Sequence, residues 1–171
     1  RLFFRMGIRQ GCLKAQTNMS IEIERRFLVQ GDAWRALAQP QTLQQGYMKV
    51  DKECSIRVRI AGEQAWLTIK GFISDVSRHE FEYPVPLAHA QTMLAEMCPF
   101  KLEKHRYAIE YGGFVFDVDE YFGDNAPLIV AEIELPDENT PFAKPEWLGA
   151  EITADGRFSN AYLSKHPYST W

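Results

Sequence analysis

Residues 21–29 read IEIERRFLV. Glu22, Glu24 and Arg26 fall at every second position, with Ile21, Ile23 and Phe27 between or beside them. Positions i and i+2 of a strand point to the same side of a sheet. As a strand, this stretch therefore has one charged face and one mostly apolar face. The pattern recurs at Arg57/Arg59, Glu80/Glu82, Lys104/Arg106, Asp117/Asp119 and Glu132/Glu134, and at Thr68 with Lys70. Ile56, Val58 and Ile60 flank the arginines, and Leu67 and Ile69 flank Thr68 and Lys70. One such pair alone is ordinarily the solvated outer face of a strand. Here the pairs are many, and individual strands carry only acid or only base. Such a sheet suits a closed barrel whose lumen holds a highly charged ligand and its metal ions.

The remaining pattern supplies the strands. Residues 21–29 and 43–50 read as strands, with a helical turn between them at 32–38, Asp32 as its N-cap and Pro40 as its stop. Residues 55–61 and 64–71 form a hairpin about Gly62-Glu63, and 78–85 is a further strand. Pro86 opens a helix at 87–97 with Leu87, Ala90, Leu94 and Met97 spaced for one apolar face. A second hairpin joins 101–111 to 114–121 about Gly112-Gly113. A strand at 128–135 and short helices near 145–148 and 158–165 complete the chain. The fold class is β-rich α+β: an eight-stranded antiparallel closed barrel, wide enough for one small ligand, with a few helices packed outside.

Composition agrees. The 171 residues suit one domain, and 46% hydrophobic with 25% charged residues allow a core. The net charge of −4 argues against a general nucleic-acid binder but leaves room for a phosphate site inside. Cys12, Cys54 and Cys98 have no CxxC spacing, so they read as free thiols in a reducing cytoplasm. No run reaches the ~18 apolar residues of a membrane span. Residues 1–18 hold Arg1, Arg5, Arg9 and Lys14 and no acid; without them 15 basic residues face 23 acidic ones, a net charge of −8. They are expected to be an extension outside the fold, from an expression vector or upstream translation, with an organelle presequence as the alternative. The domain is then 19–171. The oligomeric state is not readable.

Two aligned carboxylates can share a hard cation such as Mg²⁺, and forked arginines suit phosphate oxygens. Both sets together imply a phosphate chain plus a divalent metal. His79 and His105 alternate with the charged positions and are expected to face outward, in packing or surface roles. His89 and His166 have no evident partner. Trp34, Trp66 and Trp147 are expected to cover the outer apolar face. No Walker pattern is present.

The segment IEIERRFLV closely resembles the ExExK signature of the CYTH superfamily, the triphosphate tunnel metalloenzymes. QGYM at 45–48, SIRVR at 55–59, LTIKG at 67–71, SRHEFE at 77–82, LEKHRY at 102–107, FDVDEYFG at 116–123, AEIEL at 131–135 and DGRFSN at 155–160 follow in the family's order. The chain is most similar to the short, single-domain bacterial members. The resemblance implies a barrel that hydrolyses triphosphate compounds with Mg²⁺ or Mn²⁺. It makes Glu22, Glu24, Glu132 and Glu134 metal ligands, with Asp119 and Glu82 as further candidates. It makes Arg26, Arg57, Arg59, Lys70, Lys104, Arg106 and Arg157 the phosphate-gripping residues, and Lys70 with Tyr47 a pair beside the attacking water. The signature's last residue is usually lysine; here it is Arg26, which keeps the charge but cannot give up a proton. The expected substrate is a small triphosphate, inorganic tripolyphosphate first. Adenylate cyclisation, hydrolysis of thiamine or nucleoside triphosphates, and polyphosphate binding without turnover are the alternatives. No nucleic-acid or membrane partner is expected.

Overall fold

The computed structural model describes residues 21–171. The expected extension at 1–18 and Cys12 lie outside the described residues. Among the described residues nine strands form: β1 Ile21–Val29, β2 Gln41–Val50, β3 Cys54–Ala61, β4 Gln64–Phe72, β5 Ser77–Pro84, β6 Phe100–Tyr111, β7 Phe114–Tyr121, β8 Ile129–Glu134 and β9 Leu148–Glu151. Helix α1 spans Leu87–Glu96 and α2 spans Asn160–Lys165. The sheet order is β5-β4-β3-β2-β6-β7-β8-β1-β9, all antiparallel, and a β1–β5 pairing closes the first eight strands into a barrel. β9 adds outside the ring, on the free side of β1.

The alternation fixes what lies outside. Phe27, Tyr107, Phe116 and Ile133 share an outer core with Trp34 and Trp147. Trp34 meets Tyr107 edge-on at 4.9 Å, and Trp147 meets Phe116 at 5.6 Å. On the opposite wall α1 packs Leu87, Ala90, Met93 and Leu94 over Val58 and Ile60. Gly46 permits this approach: a Cβ there would stand 2.7 Å from the Cβ of Cys98. Gly112 and Gly113 adopt φ of 59° and 85° in the β6–β7 turn, where a side chain would be strained.

Four local expectations change. Residues 145–148 are not a helix; the chain there turns and enters β9, which takes up the spare edge of β1. Asp32 does not cap its short 3₁₀ turn, because its carboxylate accepts from the Arg35 side chain instead. Met97 is exposed past the end of α1, and Met93 takes its place in the core. Trp66 shares the inward parity of Thr68 and Lys70, and the Arg59 guanidinium lies 5.4 Å above its ring. No helix among the described residues is long and apolar enough to cross a membrane.

Candidate active site

The strand registers place the inward side chains in levels. Arg78 lies opposite Phe72, two residues beyond Lys70; Lys70 lies opposite Ser55, two residues before Arg57. The same two-residue step leads on through Gln45, Lys104, Asp119, Glu132 and Glu24. A last step reaches Glu22, which is in register with Arg78. Eight steps of two residues return to the starting strand, so these eight side chains form one girdle around the barrel. Its cationic part is Arg78, Lys70 and Arg57 on β5, β4 and β3. Its acidic part is Asp119, Glu132 and Glu24 on β7, β8 and β1. The next level, by the same step, is Glu80, Thr68, Arg59, Leu43, Arg106, Asp117, Glu134 and Glu22. On the other side the lumen turns apolar, where Leu102, Tyr121, Val130 and Leu163 of α2 plug it.

The cavity has a volume of about 1880 Å³, and Glu22, Glu24, Arg26, Tyr47, Arg57, Arg59, Lys70, Glu82, Arg106, Glu132 and Glu134 are among its lining residues. A smaller cavity of about 440 Å³ shares Glu22, Glu24, Arg106, Asp117, Glu132 and Glu134 with it. Twelve of the fourteen site residues expected from the sequence line this space, Arg157 at its rim among them.

Three do not sit as expected. Lys104 and Asp119 are fully buried, joined to each other, and stand behind the cavity wall. Asp119 also holds Arg106 through both carboxylate oxygens, at 2.7 Å each. It therefore anchors a cation and has no oxygen turned to the cavity. Arg157 lines the rim, bound to Asp155 at 2.7 Å and stacked over Trp171 at 5.0 Å, outside the barrel wall. Sequence reasoning left Arg78 and Glu80 out of the site, although both line the cavity and share the parity of Glu82. That parity was the available signal. Asn160, on α2, accepts from Lys104 at 3.1 Å and from the Tyr121 hydroxyl at 2.7 Å, which ties the plug to the girdle.

The charges are closely balanced. Lys70 meets Glu22 at 2.5 Å and Glu80 at 3.6 Å. Arg26 donates to Glu24 at 2.9 Å and lies 3.8 Å from Glu132. Arg59 and Arg57 approach Glu82 at 3.2 and 3.7 Å, and Thr68 donates to it at 2.9 Å. Burial pushes the Glu132 carboxyl up, but Lys104, Arg106, Arg26 and Lys70 outweigh it and bring it down to about 2. Burial lowers Lys70, but Glu24 and Glu22 outweigh it and raise the ammonium above its ordinary value. Burial raises the Tyr47 hydroxyl against Arg57 and Lys70. At Lys104 burial exceeds the pull of Asp119, and its pKa falls to about 8.

Two features ask for a ligand. Arg26 Nη1 and Arg57 Nε are buried without an acceptor, a costly condition for a charged donor. Glu22, Glu24, Glu132 and Glu134 offer only carboxylate oxygens, the donors that Mg²⁺ and Mn²⁺ take. As the side chains stand, no three such groups among the described residues converge on one point. Cations hold Glu22, Glu24 and Glu132, and these partners can turn to an anion. The residues fit a divalent metal arriving with an anionic ligand.

A family model described as the CYTH domain matches residues 20–161. The chain belongs to the CYTH family. An inorganic triphosphatase of Acetivibrio thermocellus is 44% identical over 154 residues, covering 90% of this chain and 99% of that protein. An inorganic triphosphatase of Nitrosomonas europaea is 31% identical over 148 residues, covering 84% and 96%. Among solved structures, that of an inorganic triphosphatase superposes with a TM-score of 0.59 at 28% identity, over 84% of this chain and 93% of the other. The structure of a Pyrococcus horikoshii protein, at 17% identity and TM-score 0.54 over 69% of this chain and 80% of the other, shares the fold alone.

Proposed function

We propose that this CYTH protein is a divalent-metal-dependent triphosphatase that cleaves inorganic tripolyphosphate to diphosphate and phosphate. The observation that carries the reading is the lumen, where Arg26, Arg57, Arg59, Lys70 and Arg106 share one cavity with Glu22, Glu24, Glu132 and Glu134. Phosphoryl transfer needs mainly positioning and neutralisation of charge, and this arrangement offers both. The two curated triphosphatase relatives support the same substrate class.

In this reading Arg26, Arg57, Arg59 and Arg106 hold the non-bridging phosphate oxygens, and the acceptorless N–H groups of Arg26 and Arg57 gain partners. Glu22, Glu24, Glu132 and Glu134 hold Mg²⁺ or Mn²⁺, with Glu82 in reserve through its own contacts to Arg57 and Arg59. The metal, when bound, neutralises phosphate charge and acidifies water. Lys70 and Tyr47 flank the attacking water at the terminal phosphorus. Lys70 is protonated in the free protein, so any use of it as a base requires proton release, and the rate rises from neutral toward alkaline pH. An optimum below neutrality contradicts that role. Lys104 and Asp119 act from behind the wall by fixing Arg106, and Arg157 guards the rim. The site lies in a reduced cytoplasmic protein.

The testing experiment incubates the protein with tripolyphosphate, ATP and thiamine triphosphate, each with Mg²⁺ or Mn²⁺, and identifies every product. Tripolyphosphate is expected to turn over fastest. Cyclic AMP from ATP, with no phosphate released from tripolyphosphate, overturns the reading.

A further inference from the structure

Arg78 opens β5, at the strand's first inward position. Six arginines line the cavity: Arg26, Arg57, Arg59, Arg78, Arg106 and Arg157. Five have a carboxylate within 4 Å, on Glu24, Glu82, Glu82, Asp119 and Asp155 respectively. Arg78 has no ion pair among the described residues, and its Nη1 is buried without an acceptor. The nearest acid by register is Glu22, directly across the β1–β5 ladder, yet the Glu22 carboxylate is turned to Lys70 at 2.5 Å. A half-buried guanidinium with no counter-ion loses hydration and gains nothing in return. Its register neighbours on β4 and β1 are Phe72 and Glu22.

The girdle supplies the missing partner. Arg78 stands next to Lys70 in the same level, one strand over, and closes the cationic half of the ring. Lys70 flanks the phosphorus under attack in the proposed reaction, on which this inference rests. We infer that Arg78 is a substrate-binding residue that grips the terminal phosphate of the triphosphate. Its free N–H groups take oxygens of the phosphoryl group that leaves as phosphate. Arg57, Arg59 and Arg106 hold the diphosphate portion. Arg78 therefore distinguishes a triphosphate from a diphosphate, because only the longer chain reaches it.

The test compares the parent with Arg78→Ala and Arg78→Lys in three measurements: steady-state kinetics on tripolyphosphate, competitive inhibition by diphosphate, and thermal unfolding with and without tripolyphosphate. The expected result for Arg78→Ala is a fall in kcat/KM on the order of ten- to a hundred-fold, the scale of a lost charge-assisted hydrogen bond. Diphosphate inhibition stays within about threefold of the parent, since its contacts are elsewhere. The ligand-free Tm is unchanged or higher, and the Tm rise caused by tripolyphosphate shrinks. Arg78→Lys keeps the charge and recovers part of the loss. Equal weakening of tripolyphosphate and diphosphate overturns the assignment to the terminal phosphate. A marked drop in ligand-free Tm shows that the residue is structural and overturns the inference. Normal kinetics in Arg78→Ala does the same while leaving the proposed activity intact. A parent that neither hydrolyses nor is stabilised by tripolyphosphate removes the substrate reading itself, and the inference with it.

Discussion

Glu24 and Glu134 stand directly opposite each other across the β1–β8 ladder, in register and both turned to the lumen. Like charges on one rung repel unless a cation lies between them. Glu24 accepts from Arg26, which lines the same cavity. In the proposed function this rung of two carboxylates is where a divalent metal would be held together with the substrate.

Glu24→Gln and Glu134→Gln are each expected to cut turnover at least ~10²-fold, the scale at which lost transition-state charge stabilisation shows. Folding should persist, since one of two facing charges is removed and the amide oxygen at position 24 can still accept from Arg26, with Glu132 3.8 Å from it. Initial rates across a metal titration decide the matter. Parent-like rates in both variants at limiting metal would remove these glutamates from the metal site.

Arg26 should act by charge and by bidentate hydrogen bonding. Arg26→Lys is expected to remain active with modest changes in KM or kcat. Arg26→Ala is expected to be severe, because Glu24 and Glu132 then lose a buried partner, a change worth about 3–5 kcal/mol of stability. Kinetics and urea unfolding on both variants check this. A rise of several orders of magnitude in kcat for Arg26→Lys would show that proton transfer belongs at this position.

Much of this was legible in the chain. The i, i+2 charges of residues 21–29, 57–59 and 132–134 announced both strand and lumen, because a period of two admits one reading once the opposite face is apolar. Lys104 and Asp119 looked the same in sequence as Arg106 and Asp117. Parity tells which way a side chain points, but not whether a neighbouring strand and a tail helix bury it. The plug made by Leu163 and the bridge from Asn160 arise from contacts more than thirty residues apart, to which no local pattern corresponds. Arg78 escaped notice because its i+2 neighbour, Glu80, carries the opposite sign.

Glu132 sets the response to acid. Its carboxyl titrates at about 2 in the folded protein against 4.5 unfolded. The folded state thus holds the ionised form more tightly, and this contribution to stability is full above pH 4.5 and lost as the pH falls toward 2. Glu22 is raised by burial, partly opposed by Lys70, and its contribution has the opposite slope above 4.5, so parent and Glu132→Gln must be compared directly. The variant is expected to lose Tm less steeply than the parent between pH 4.5 and 2. Identical slopes would mean that Glu132 is not held by the cations around it.

Asp119 separates an anchor from a ligand. It is fully buried and carries Lys104 and Arg106. Asp119→Asn is expected to lower stability by about 3–5 kcal/mol, the cost of stranding buried charge, and to lower activity that added metal does not restore. Recovery of full rate at high metal, with unchanged stability, would return Asp119 to the metal site.

The most direct measurement is the product stoichiometry of tripolyphosphate turnover, followed by phosphorus NMR with and without a divalent cation. The expected spectrum shows phosphate and diphosphate appearing in equal amounts with Mg²⁺ or Mn²⁺, and no change once the cation is chelated. Tripolyphosphate that binds but stays intact under every metal condition would contradict the account and leave a triphosphate-binding barrel without catalysis.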